Sequence, residues 1–163
     1  MTYSNELRVW TKYWECPGGE PFLDPHWDSV GGVWDVGFGH VIKPEAHEQR
    51  RSLTLDECEM LLDFDLYFFD AGVSSLVTWP LAQCQHDSFV AFAYNKGLDI
   101  DADEIAEGLG DSTLLKYVNK GDFEAAAGQF KYWNKAGGKV IDGLSRRSAA
   151  MEAMWTFGEY RLP

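Results

Sequence analysis

Positive charge is scarce in this chain: 14 Lys and Arg stand against 26 Asp and Glu in 163 residues, a net charge of −12 at pH 7. Phosphate recognition needs clustered Lys and Arg, so nucleic acid is not an expected partner. Cysteine is scarce as well. Cys16, Cys58 and Cys84 are an odd number with no CxxC pair, which argues against a disulfide framework or a zinc site and favours reduced thiols in a cytosolic protein. No run reaches the ~18 apolar residues of a membrane helix, and MTYSNELRVW has neither the basic nor the apolar region of a signal peptide. Membrane insertion is therefore not expected. No Gly-rich phosphate loop follows a strand, and there is no nucleophile elbow. The four His (His26, His40, His47, His86) lack the i, i+4 spacing around a Glu that binds zinc. Neither a metal nor a cofactor is expected.

What is present fits one globular domain, residues 1–163, long enough to bury a core without covalent staples. Apolar residues make up 45% and aromatics 15%, with seven Trp, which serve core packing first and could also stack on sugar rings. The charge is lopsided. Residues 1–111 carry 6 basic and 21 acidic side chains, a balance of −15; residues 112–163 carry 8 and 5, a balance of +3. The first part reads as a solvated acidic surface. A polyanionic substrate would have to be held by shape, hydrogen bonds and the more basic C-terminal third.

Leu7, Trp10 and Trp14 lie at helical spacing over 6–15, and Pro17-Gly18-Gly19 ends that helix directly after Glu15. Residues 27–42 are glycine-rich, β-branched and aromatic, with a Gly31-Gly32 turn signal, and predict a hairpin or three-stranded sheet. Thr54 and Glu57 form a capping-box pattern before an apolar stripe at Leu55, Cys58, Leu62, Leu66, Phe69, Val73 and Val77, closed by Pro80. Further helices are predicted over 82–96, 113–119, 123–134 and 146–157, with Asp122 and Ser145 as N-caps of the last two. The acidic segment 98–111 resembles a calcium loop. Counted from Asp99, however, the sixth and twelfth positions hold Glu104 and Gly110, where an EF-hand needs Gly and Glu, so a solvated loop is expected. The order is helix, small sheet, then five or more helices: an α+β chain with its sheet segregated near the N-terminus.

Chemistry is left to carboxylates around the glycine-rich hairpin: Glu15, Glu20, Asp24, Asp28 and Asp35. Glycoside hydrolysis needs only two such groups, a protonated one to donate to the leaving oxygen and an ionised one to activate water or attack the sugar. With 26 acidic residues in the chain, spacing alone does not select the pair.

The segment DSVGGVWDVGFGH (28–40) resembles the D-x-x-G-x-x-T-I-G-x-G-H signature of phage lysozymes, glycoside hydrolase family 24. Three later stretches keep pace with that family in order: SLTLDECEMLLDFDL, HDSFVAFAYNKG, and STLLKYVNKGDFEAAAGQFKYWNKAGGKVIDGLSRR. The resemblance covers about residues 7–155. It implies a lysozyme-like α+β fold, a small N-terminal sheet lobe and a mostly helical lobe. It also implies hydrolysis of the β-1,4 bond between N-acetylmuramic acid and N-acetylglucosamine in bacterial peptidoglycan, without metal or cofactor.

By that resemblance Glu15 is the general acid, its pKa raised by partial burial against Tyr13 and Trp14, and Asp28 is the family's hairpin Asp. Tyr94, Asn95 and Thr113 match positions that line the family's sugar cleft. Arg146 or Arg147 is expected beside the acid, and His40 is expected to be structural. Three departures matter. The family places eight residues between Glu and Asp, whereas Glu15 and Asp28 enclose twelve, so either Cys16–Gly19 is inserted or Glu20 is the acid. The helix end favours Glu15. Glu15 and Asp24 do enclose eight, but Asp24 lacks the motif that follows. The hairpin carries an extra Gly at 31–32, and Asp35 stands where the family has Thr. A carboxylate there can accept a full proton, so Asp35 is assigned as base, or as nucleophile if close enough, with Asp28 orienting water or sugar.

The expected protein is thus a monomeric endolysin, made in a host cytoplasm and acting on the wall after something else releases it there. Two other readings remain open. The Thr-to-Asp change and the enlarged loop also fit a non-catalytic lysozyme fold kept for wall binding or as a virion component. A lytic transglycosylase would use a single acid and form an anhydro-sugar.

Overall fold

The computed structural model describes residues 1–29, 31–101 and 107–163. The first helix, α1 (Asn5–Glu15), starts at Ser4, whose hydroxyl accepts from the Leu7 amide, and buries Leu7, Trp10 and Thr11. It stops at Cys16 because Pro17 cannot continue it, and Gly18 and Gly19 turn the chain away with φ of 76° and 74°. The Cys16 thiol reaches the Gly37 carbonyl at 3.4 Å, fixing this helix end against the sheet.

The sheet is three-stranded and antiparallel in the order β1 (Phe22–Asp28), β2 (Val33–Gly37), β3 (His40–Ile42). It begins five residues before the segment expected from sequence, with a register irregularity between Phe22 and His26, where Pro25 interrupts the alternation. The β1–β2 turn is held at Asp28: its carbonyl accepts from Gly32, and its carboxylate accepts from Gly31 at 2.9 Å. Val30, within the predicted turn, lies outside the described residues.

Helix α2 (Leu55–Leu76) has the expected capping box, and it buries Cys58, Leu62, Leu66, Asp70 and Val73. It ends four residues before Pro80. Arg8 and Lys12 of α1 both pair with Glu59, and Arg8 also with Asp63, clamping the two helices together. Helix α3 (Gln83–Lys96) is the axis of the helical part, with every residue from His86 to Ala93 buried. Phe89 stacks on Trp155, and Phe92 meets Phe130 and Trp133 edge-on. Each such buried aromatic removes enough apolar surface from water to contribute about 2–3 kcal/mol. Helices α4 (Thr113–Val118), α5 (Phe123–Ala127) and α6 (Asp142–Phe157) complete a core that also takes in Leu7, Trp10 and Phe38.

Three expectations need correction. The helix predicted over 123–134 ends at Ala127. Gly128 caps it, and a short 3-10 turn, Phe130–Tyr132, redirects the chain so that Phe130 enters the core. Ser145 does not cap the last helix. That helix begins at Asp142, whose charge suits the helix N-terminus, and Ser145 lies inside it, donating its hydroxyl to the Ile141 carbonyl. A second hairpin, β4 (Lys135–Ala136) and β5 (Lys139–Val140), was not expected. Gly137 and Gly138, both at positive φ, make its turn. Residues 102–106 of the acidic loop lie outside the described residues; no described helix is long and apolar enough to cross a membrane.

Candidate active site

The end of α1 and the sheet enclose a cavity of about 320 Å³ lined by Glu15, Phe22, His26, Trp27, Asp28, Ser29, Asp35 and Gly39. Glu15 reaches it because the helix stops one residue later. The Gly37-Phe38-Gly39 corner between β2 and β3 passes against its carboxyl, with an alanine Cβ at Gly39 falling 3.6 Å from Oε2. Gly39 has φ of +87°, a conformation that a larger residue adopts only under strain. Tyr94, from α3, donates its hydroxyl to the Phe38 carbonyl at 2.8 Å and holds the corner in place.

Behind Glu15 lies Arg147, on the second turn of α6. It donates to Glu15 Oε1 at 2.8 Å and to the Trp14 carbonyl at 2.7 Å, and its guanidinium lies 5.8 Å from the Trp14 ring. The Glu15 side chain is 18% exposed. Burial raises its pKa above the usual carboxylate value, Arg147 opposes the rise, and the nearby Asp35 charge adds to it. Asp35 sits on β2, its side chain 14% exposed. Burial raises its pKa too, with His26 opposing and Asp28 adding. Two carboxyl groups with perturbed pKa values at one cavity make it a candidate acid–base site.

The two other acid candidates lie elsewhere. Glu20 is exposed after the 3-10 turn and does not line the cavity; Asp24 accepts from the Ser52 hydroxyl. Asp28 lines the cavity while also tying the β-turn through Gly31, where an added Cβ would meet its carboxylate at 2.6 Å. Of the two arginines considered, Arg147 meets Glu15. His40 pairs with Asp65 of α2 at 2.8 Å.

The residues expected to touch sugar are dispersed. Tyr94 lines an adjoining apolar cavity of about 310 Å³ with Phe64, Phe68 and Phe69, which shares Gly39 with the first. Asn95 is half-buried, its Oδ1 making no hydrogen bond with a described residue, and Thr113 is exposed on the first turn of α4. Neither lines these two cavities. The residue that sequence reasoning missed is His26, directly across the strand pair from Asp35. Its signal was the register of the hairpin, which the extra Gly31-Gly32 obscured. Asp99, Asp101 and Asp111 bring carboxylate oxygens within 4.8 Å of one another, an acidic cluster to which nothing else points as a cation site.

A small sheet lobe, a helical core and a carboxyl-lined cavity at the end of the first helix define an α+β lysozyme-like protein. Residues 19–151 match the phage lysozyme family model, and the chain belongs to that family. The matched span begins after Glu15, so it does not include that residue. The endolysin of Bacillus phage B103 is 36% identical over 126 residues, which cover 77% of this chain and 44% of that protein. The SAR-endolysin of Escherichia phage Mu is 33% identical, covering 78% and 68%. The muramidase domain of SpmX from Asticaccaulis excentricus superimposes with a TM-score of 0.76 at 26% identity, over 95% of this chain and 97% of that one. The chain thus spans less than half the length of the Bacillus phage endolysins it matches.

Proposed function

We propose that this protein is a muramidase that hydrolyses the β-1,4 bond between N-acetylmuramic acid and N-acetylglucosamine in bacterial peptidoglycan. The observation that carries this reading is the pairing of Glu15 and Asp35 at one cavity, both carboxyls biased toward protonation by burial, with Arg147 against the first and His26 3.0 Å from the second. Glu15, oriented by Arg147, keeps its proton because burial outweighs that cation, and it gives the proton to the glycosidic oxygen as the bond from C1 breaks. Asp35, opposed to His26, is the ionised partner. It takes a proton from the water whose oxygen forms the new bond to C1, and the product is a reducing muramic end. Glu15 then regains a proton from solvent and Asp35 releases one. Asp28 orients the water or the sugar, and Tyr94, in the adjoining cavity, contributes to holding the glycan, whereas Asn95 and Thr113 line neither cavity and would meet the glycan only beyond them.

The family's Thr cannot accept a full proton where Asp35 stands, so Asp35 marks a change in the base. The protein works as a monomer, is made in a host cytoplasm and meets the wall after release; its acidic charge gives it no use for nucleic acid. Incubation with purified sacculi tests the reading: soluble reducing sugar ends are expected to accumulate. A protein that pellets with sacculi and releases none is a binding module, and the proposal then fails.

A further inference from the structure

We propose that His26 is a positioning residue for the reaction, the cross-strand partner that Asp35 requires in order to serve as a carboxylate. This rests on the muramidase reading above and adds a residue to it.

His26 and Asp35 are register partners in the antiparallel β1–β2 pair, so their side chains leave the same face of the sheet. His26 Nε2 lies 3.0 Å from Asp35 Oδ1, and both residues line the cavity with Glu15. The Phe22 ring packs on the imidazole with centroids 4.5 Å apart, which sets the ring's tilt. Neither Asp35 Oδ1 nor His26 Nδ1 makes a hydrogen bond with a described residue, so the 3.0 Å approach of imidazole and carboxylate is a charge contact out of hydrogen-bond alignment.

The other titratable neighbours do not take this role. From the end of α1 come Glu15, already engaged by Arg147, and Cys16, whose thiol burial pushes up to about 11. From β1 comes Asp28, whose charge works against ionisation of Asp35. From β3, the register partner of Asp35 is Val41, and His40 is turned to Asp65. From α2, Cys58 meets the sheet at Gly37. His26 is the group that opposes the burial of Asp35. An imidazolium at this distance favours the carboxylate by charge, and a small turn of a neutral ring would let Nε2 donate to the carboxylate and favour it by hydrogen bonding. A Thr in place of Asp35 would need neither, so the histidine and the aspartate form one device.

The test compares wild type with His26→Leu, which removes charge and donor, and His26→Gln, which keeps a donor without charge. The Asp35 carboxyl is titrated by carbon NMR, with Asp35→Asn identifying the resonance. In parallel, kcat/KM on solubilised peptidoglycan is followed against pH. The Asp35 midpoint is expected to rise by about one pH unit in His26→Leu and by less in His26→Gln, and the acid limb of kcat/KM is expected to move with it. An Asp35 midpoint unchanged by both substitutions overturns the proposal, as does a uniform loss of activity with an unmoved acid limb. If wild type releases no sugar ends, the muramidase reading fails, and the Asp35 titration still decides whether His26 governs that carboxyl.

Discussion

Arg147 binds Glu15 and the carbonyl of the residue before it, Trp14, with the two arms of one guanidinium, so the Glu15 carboxyl and the helix end that presents it are fixed together. This geometry orients the carboxyl toward the sheet and offsets part of its burial cost.

Removing that cation has a directional consequence. In Arg147→Met, burial acts on Glu15 without opposition, so its pKa rises further above the ordinary value. Glu15 must be protonated to act, and activity is lost as pH climbs through its pKa. The alkaline limb of kcat/KM is therefore expected to move to higher pH in Arg147→Met, while loss of orientation lowers the maximum by roughly 10²-fold. A pH series on one batch of peptidoglycan reads both.

Asp35 sets activity against stability. Burial raises its folded pKa above the ordinary carboxylate value, so ionising it costs folding free energy. Wild-type stability should fall as pH rises from about 3.8 through the raised folded value, a loss that Asp35→Asn escapes. Thermal melts are expected to coincide at the acid end and to separate in favour of Asp35→Asn toward neutrality. Activity of the variant is expected to drop by about 10²–10⁴-fold, the range for a lost acid–base group.

Substitution separates the turn contact of Asp28 from the role proposed for it at the cavity. Asparagine keeps an oxygen for the Gly31 amide, so Asp28→Asn should melt with wild type yet lose activity through its missing charge. Asp28→Ala should lose the turn as well, and melt lower by a few degrees. Paired melts and sugar-release rates distinguish the two.

Asp87, fully buried on α3, accepts from the Ser4 amide and hydroxyl, from Gln83 and from the Tyr160 hydroxyl, tying both chain ends to the core helix. Asp87→Ala leaves these donors unpaired and is expected to cost about 3 kcal/mol, roughly 6–12 °C in Tm for a chain of this size. Because Asp87 belongs to the helical core and Glu15 to the sheet cleft, activity per folded molecule should hold below the new Tm.

The helices that sequence patterning located well are those whose ends carry chemistry. Thr54 with Glu57 marks the start of α2, and Pro17 with two glycines marks the end of α1, which is what delivers Glu15. Patterning failed where tertiary packing decides. Phe130 breaks a helix to reach the core, and α6 begins at Asp142 without a side-chain cap. At the site, Glu15, Asp28 and Asp35 could be nominated from motif and helix end, but their convergence depends on strand register. The same register makes His26 a neighbour of Asp35 nine positions away, which no linear spacing rule reports. Arg147 was legible only as one of two adjacent arginines, because which of them faces α1 is set by the phase of α6.

In the proposed reaction Glu15 and Asp35 together hydrolyse a muramyl bond through water. The most direct measurement is mass analysis of the fragments released from purified peptidoglycan by wild type, Glu15→Gln and Asp35→Asn. Fragments ending in reducing N-acetylmuramic acid are expected from wild type, and almost none from either variant. Fragments ending in an anhydro-sugar, or reducing ends that persist at wild-type rate in Glu15→Gln, would contradict it.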